Sequence, residues 1–266
     1  MTDTPDAEST EPEAPRIEVP ALKLLSYNIQ VGLHTRDYGH MLTGMWRHAL
    51  PSRDQRKNLD RIAEMMSEYD FVAVQEADAG SLRSSQLNQI EYLAARAGFN
   101  HCGYTVTRNL RPVARHCLGW LSKTPPTSSE THSLPSQIPG RAAMKLRFDD
   151  RFDDLTLLVA HLSLGPKDRR LQLDYLSRMA RDEGRVMVLG DLNSGTDFLR
   201  QHPSLDARAL KPVDNAPLTY PSWKPRQSLD HVLITPDVRL TEVRALPLAI
   251  SDHRPLSVLV ERLRRE

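Results

Sequence analysis

The sequence predicts a mixed α/β or α+β fold, built as one domain over residues 21–266. Three observations carry this. Apolar strand-like segments alternate with helix-period segments early in the chain, which is the pattern of strands covered by helices. The late strands follow one another without intervening helices. No Gly- or Ser-rich linker divides the region.

The elements follow in order. Residues 1–20 carry four prolines, one Ile and one Val, and six acids against one base. Such a segment cannot bury enough apolar area to offset the entropy of ordering, so a disordered acidic tail is expected there. Leu22–Ile29 reads as a buried strand ending in polar residues. Ser52–Glu68 reads as a helix capped by Ser52, with Leu59, Ile62, Met65 and Met66 at helical spacing. Phe71–Glu76 is a short apolar strand ending on an acid. Gln86–Ala97 reads as a second helix closed by Gly98. Strand-like pieces follow at Tyr104–Val106 and Cys117–Leu121, and the Pro/Ser/Thr-rich stretch Thr124–Pro139 reads as loop. Ala142–Phe148 and Leu155–His161 are expected to pair across the turn Asp149–Asp154. Lys167–Arg181 is a third helix, Val186–Leu189 a strand, and Leu229–Ile234 and Leu256–Val260 are the late strands.

Composition narrows the class. Hydrophobic residues at 39% and charged residues at 26% exclude a disordered or fibrous chain. No apolar run reaches the roughly 18–20 residues that span a bilayer. The acidic, Pro-rich N-terminus is unlike a secretory signal. Two cysteines exclude a disulfide scaffold and a thiolate zinc cluster, and a reducing cytoplasm is the simple expectation. The net charge is +1; taking out the tail's −5 leaves a mildly basic +6 for the body, which suits a phosphate-bearing substrate.

The chemistry collects where apolar strands end. Asn28, Glu76, His161, and Asp191 with Asn193 close four strands, while Asp230-His231 and Asp252-His253 flank two more. Strand ends gather at one rim of stacked sheets and form a cleft there. A set rich in carboxylate and amide oxygens suits Mg²⁺, with Mn²⁺ as a substitute, and does not suit zinc. Cleavage of a phosphate ester needs such a set: a cation for the developing charge, a base for the water and a donor for the phosphorus oxygens. Arg83, Arg141, His116 and Lys123 are candidate phosphate or headgroup contacts, or surface charges. His231 follows Asp230 directly and so points to the opposite face of its strand. Trp223 is either core or a stacking platform, and Tyr38–Trp46 is either an apolar loop at the cleft or packed core.

Six short strings stand in one order: Ser26-Tyr27-Asn28-Ile29, Val74-Gln75-Glu76, His161-Leu162, Gly190-Asp191-Leu192-Asn193, Leu229-Asp230-His231-Val232-Leu233 and Ser251-Asp252-His253-Arg254-Pro255. Together they resemble the endonuclease/exonuclease/phosphatase superfamily. Further stretches, Gln75–Arg83, Pro139-Gly140-Arg141, His161–Gly165 and Tyr220–Trp223, resemble a bacterial branch of it whose substrate is uncharacterised. The resemblance implies a four-layer α/β/β/α sandwich of two packed, mostly antiparallel sheets. It implies that Glu76, Asn28 and Asp252 hold a metal, and that Asp191 orients the attacking water. It implies that Asn193, His161 and His253 act on the phosphate, and that Asp230 fixes His253. The usual Gly-x-Ala-Ile-Leu-Ser-Arg strand reads Cys117-Leu118-Gly119-Trp120-Leu121-Ser122-Lys123 here, which keeps a base in changed surroundings. The activity implied is metal-dependent hydrolysis of a phosphate ester. A nucleic acid is the preferred substrate class, a phospholipid or inositol phosphate the alternative, and a non-catalytic binding module the second alternative. No stable protein partner is expected.

Overall fold

The computed structural model describes residues 21–32, 53–205 and 210–263. The expected tail, the Ser52 cap and the Tyr38–Trp46 segment lie outside these residues.

One sheet runs in the order β11-β12-β1-β2-β4-β3. It contains β1 (Leu22–Asn28), β2 (Phe71–Asp78), β3 (His101–Leu110), β4 (Ala114–Ser122), β11 (Leu240–Ala245) and β12 (Leu256–Val260). The other runs β5-β6-β7-β8-β10-β9. It contains β5 (Ser128–Ser133), β6 (Ala142–Arg147), β7 (Thr156–His161), β8 (Val186–Asp191), β9 (Lys211–Pro212) and β10 (Asp230–Ile234). Among the described strands, only β1–β2 and β7–β8 pair in parallel. Helices α1 (Arg53–Met66) and α2 (Gln89–Ala97) pack on the first sheet, and α3 (Pro166–Arg181) and α4 (Thr196–Arg200) on the second. The four layers expected from the motifs are present.

Strand parity explains how the layers hold together. Side chains alternate between the faces of a strand. Leu22 and Leu24 of β1, Phe71 and Ala73 of β2, Leu157 and Val159 of β7, Met187 and Leu189 of β8, and Val232 and Ile234 of β10 all point into the space between the sheets. The residues between them point outward. Leu25, Tyr27, Val72 and Val74 meet Leu59, Ile62, Met66, Ile90 and Leu93 of α1 and α2. Leu158, Val188 and Leu233 meet Leu173 and Leu176 of α3. Each buried Leu contributes about 1.5–3 kcal/mol, so the two-sided burial of the central strands outweighs any single polar contact.

Several elements differ from the sequence expectation. Helix α2 starts three residues late, because Ser85 and Gln86 are left-handed and Asn88 supplies the cap by accepting from Ile90 N and Glu91 N. Part of the expected Thr124–Pro139 loop is β5, an edge strand of alternating exposed and half-buried residues that pairs only with β6. Its Ser, Thr and His side chains give no apolar signal. The half-buried β11 and the two-residue β9 were not expected, and neither was the five-residue α4.

Candidate active site

Parity also builds the site. Continuing each inward row in steps of two gives Asn28 after Leu22, Leu24 and Ser26, His161 after Val159, and Asp191 after Leu189. Asp230 precedes Val232 on the same face. Across the second sheet His161, Asp191 and Asp230 stand directly side by side, as His161 pairs with Asp191 and Asp191 with Asp230. The polar rim is therefore the open end of the apolar layer between the sheets.

Glu76 does not follow this parity, because it would face α1 and α2. A bulge corrects it: β2 and β4 slip register between Val74 and Ala77, and Glu76 adopts a left-handed φ of 54°. Bulges re-aim side chains at functional rims. Here Glu76 Oε1 comes to 3.8 Å from His161 Nε2.

Asp191 is the centre of the arrangement. Its Oδ2 accepts from Asn28 Nδ2 at 3.0 Å and lies 3.5 Å from His161 Nε2 and 3.7 Å from His253 Nε2. Its Oδ1 accepts from Asn193 N at 3.0 Å. Asn193 is left-handed at φ 47°, a conformation Asn tolerates, and its Nδ2 donates to Leu162 O at 2.9 Å. Asp230 Oδ2 meets His253 Nδ1 at 2.8 Å. A backbone collision explains Gly190: any Cβ there would strike Ala160 O on the parallel neighbour.

The electrostatics follow from burial and from this neighbourhood. Burial pushes the Asp191 carboxyl up to about 7, with the His253 charge opposing and Asp230 adding to the rise. Burial also raises Asp252, opposed by His253 and reinforced by Glu76. For His253 burial disfavours the charge, but Asp230 and Asp191 outweigh it and hold the imidazole protonated well above its usual range. His161 goes the other way: burial, Arg141 and His253 all lower it, so it is neutral. The pair thus offers one cationic donor and one neutral imidazole.

Four residues that carry no separate expectation complete the frame. Ser251 Oγ donates to Asn28 O at 2.7 Å and lies 3.1 Å from Asp252 Oδ1, which ties the β1 end to the Asp252-His253 loop. Tyr27 OH accepts from Ser251 N at 3.2 Å. Thr219 Oγ1 accepts from Asp230 N at 3.3 Å. The Tyr220 ring packs on His253 at 5.0 Å between centroids. All four lie within or beside the quoted strings, but nothing in their residue types announced a supporting role.

The basic candidates separate. Arg141 and His116 line a cavity of about 460 Å³ together with Glu76 and His161. The Arg141 guanidinium is half-buried and makes no hydrogen bond or ion pair among the described residues. Burial lowers its pKa, opposed by Glu76 and Asp191. Arg83 is not brought to the cavity wall. It is buried, with Nε 2.5 Å from Asp78 Oδ2 and Nη1 3.3 Å from His116 Nε2. Lys123 Nζ donates to Ser67 O, away from the rim. His231 faces outward as expected, with Nε2 between Ser194 O and Ser228 O at 2.7 and 2.8 Å. Cys102 and Cys117 are both free thiols, and burial pushes Cys117 up to about 12.

The donor set fits a hard cation. Three carboxylates, Asp191, Asp230 and Asp252, act on the protonated His253, Glu76 stands beside His161, and Asp230 Oδ1 is buried without a hydrogen-bond partner among the described residues. Asp191, Asp230 and His253 bring ligand atoms within 4.8 Å of one another, but His253 Nδ1 is already engaged by Asp230. Glu76, Asp252 and Asn28 are the oxygen donors beside that pair. All-oxygen ligation is the preference of Mg²⁺ and Mn²⁺.

Known proteins of the same architecture bear on this geometry. The chain is similar to an endonuclease/exonuclease/phosphatase from Beutenbergia cavernae, with a TM-score of 0.68 at 17% identity over 92% of this chain and 72% of that one. It is similar to a humanized D. rerio TDP2 at 0.65 and 15%, covering 90% and 98%. It is also similar to the Bacteroides thetaiotaomicron mannosyl-6-phosphatase at 0.63 and 15%, covering 90% and 99%. These likenesses show the fold. No curated protein sequence matches the chain. The profile of the Endonuclease/Exonuclease/phosphatase family matches residues 25–253, so the span from β1 to His253 belongs to that family, whose members are typically hydrolytic phosphoesterases.

Proposed function

We propose that this chain is a Mg²⁺-dependent phosphoric ester hydrolase, with Mn²⁺ able to substitute, that attacks phosphorus in line with a water. The observation that carries the reading is the position of Asp191 Oδ2, which one amide and two imidazoles approach within 3.7 Å. Glu76, Asp252 and Asn28 would hold the metal, and when bound it would supply charge neutralisation at the phosphate oxygens. Asp191 orients the attacking water and accepts its proton. His253, held by Asp230, presents its protonated Nε2 to a phosphate oxygen. Neutral His161 and the second amide hydrogen of Asn193 complete the donors, and Arg141 adds a cation from the cavity side.

The first substrate reading is a nucleic-acid phosphodiester, which the mildly basic body suits. The second is a smaller ester, such as a phospholipid or inositol phosphate. It is favoured by the size of the cavity and by the apolar Ile138 and Leu164 in its lining. The proposed workplace is the cytoplasm, and no described helix is long and apolar enough to cross a membrane.

The test is a panel of plasmid DNA, abasic-site duplex, RNA, inositol phosphates and phosphodiester lipids. Each is assayed with Mg²⁺ or Mn²⁺, with EDTA, and with Asp191→Ala. Metal-dependent cleavage lost in the variant is expected. Cleavage that survives EDTA or the variant would overturn the mechanism, and metal-free binding without turnover would favour a non-catalytic module.

A further inference from the structure

The 460 Å³ cavity beside Glu76 and His161 has a composition that the reaction alone does not require. Beyond Glu76, His161 and Asp168, three parts of its wall set its character. The β3–β4 pair supplies Arg108 and His116, the segment before β6 supplies Ile138 and Arg141, and the loop after β7 supplies Leu164. Ile138 and Leu164 are 74% and 73% exposed, although both line the cavity. Two large aliphatic side chains left that open are a surface an apolar group would cover.

The charges are as telling. Arg108 is exposed, and its guanidinium makes no hydrogen bond or ion pair among the described residues. The Arg141 guanidinium is unpaired in the same sense. Neither acid of the lining makes an ion pair with them, although Glu76 acts on Arg141 by its charge. Asp168 accepts from Gln137 N at 3.1 Å in the first turn of α3, where the helix dipole favours an anion. Glu76 belongs to the metal side of the site. His116 adds no charge of its own. Burial and the neighbouring Arg83 bring its pKa down to about 4, and its Nε2 faces Arg83 Nη1. The cavity therefore combines an Arg108 guanidinium that no acid of the described residues answers, and an Arg141 guanidinium that faces Glu76, with an aliphatic mouth.

We propose that this cavity binds the alcohol portion of the phosphate ester, and that Arg108 selects alcohols that carry a second acidic group on an apolar or aromatic body. The inference rests on the phosphoesterase reading and names the substrate class for it. Arg141, set toward Glu76, serves the reacting phosphate, which leaves Arg108 for the distal acid. Ile138 and Leu164 flank the body between them. A volume of about 460 Å³ holds one such unit, so a polymer would enter with a single residue.

Two pairs of phosphonates test this, because their C–P bond cannot be hydrolysed. Phenylphosphonate is compared with 4-phosphonobenzoate, and biphenyl-4-ylphosphonate with its 4′-carboxylate, by titration calorimetry with Mg²⁺ present. At least one carboxylated ligand is expected to bind about tenfold more tightly than its parent, one charge-assisted guanidinium contact. In Arg108→Gln that ratio should fall to near one while the plain ligands bind as before. In Ile138→Ser both members of a pair should weaken alike. A ratio near one in the unaltered protein for both pairs, or one that Arg108→Gln leaves standing, overturns the proposal. Both substituted residues are exposed, so folding is not at risk. The matching 4-nitrophenyl esters are assayed alongside. A retained carboxylate preference without turnover would sink the hydrolase reading and leave the pocket, whereas turnover without preference would sink the pocket alone.

Discussion

Oδ2 of Asp230 lies 2.8 Å from Nδ1 of His253, and this contact decides which imidazole nitrogen faces Asp191. The carboxylate is fully buried, its other oxygen makes no hydrogen bond among the described residues, and its charge favours the protonated ring. Asp230→Asn keeps the shape and removes the charge. It should lower kcat by about 10²–10⁴ with little change in KM, the scale seen when an orienting carboxylate is neutralised. Steady-state kinetics on whichever ester the panel identifies would check it; an unchanged kcat would remove Asp230 from the mechanism.

Glu76 is placed by a bulge, and among the described residues its carboxylate has no closer ion-pair partner than His161 at 3.8 Å. Glu76→Gln should weaken Mn²⁺ binding about 10–100-fold and cut activity at fixed metal, while the melting temperature without metal stays near the parent value. Metal titration by calorimetry reads the first, and thermal denaturation in EDTA the second. Equal Mn²⁺ affinity in the two proteins would take Glu76 out of the metal set.

Arg83 and Asp78 make a buried pair, reinforced by Ser81 Oγ at 2.8 Å, Ser84 Oγ at 3.0 Å and Arg115 N at 3.1 Å. Arg83→Met should cost about 3–5 kcal/mol of stability, because it strands a buried carboxylate. Chemical denaturation measures this. A variant of parental stability but raised KM would return Arg83 to the role of substrate contact that the sequence suggested.

Glu183 answers Arg147 Nη2 at 2.6 Å and Lys145 Nζ at 3.0 Å. The Arg147 hydrogen bonds, with Lys145 adding, hold its carboxyl down at about 2 against an ordinary 4.5. A depressed acid stabilises the fold fully above its unfolded pKa and loses that contribution as pH falls through its folded one. Solvent at the half-exposed guanidinium reduces the contribution to about 1–2 kcal/mol. Glu183→Gln should therefore be less stable by that amount at pH 6, with the gap narrowing below pH 4. A gap that is constant with pH would mean the pair acts through packing alone.

Gly190 has backbone where a side chain would be. Gly190→Ala should lose more than about 3 kcal/mol, since Ala160 O cannot move without breaking the β7–β8 pairing. Soluble yield and unfolding midpoint report it, and a stable alanine variant would show that the two strands can separate there.

Much of the site was legible because polar residues interrupt apolar strands at regular parity. Asn28, His161, Asp191 and Asp230 each continue a row of core residues, and a two-residue period is visible in the letters. Glu76 was identifiable as a strand-ending acid, but its direction was not, because a bulge depends on a partner strand the local sequence does not name. The burial of Arg83 was not legible for a related reason. Its partner Asp78 is five residues away around a tight turn, and nothing in that spacing tells a buried pair from a surface charge. The edge strands β5 and β11 were missed because they bury one face weakly, so their polar residues look like loop.

The shared parity of core and site has one more consequence. On β8, Met187, Leu189 and Asp191 lie on one face, so a pairing slipped by one residue would turn core and carboxylate outward together. A misaligned chain would forfeit its solubility and its chemistry in the same error. A slip of register on this strand therefore does not leave a well-folded but silent molecule. Measured specific activity should track the folded fraction through denaturation and recovery, which makes catalysis a direct assay of alignment.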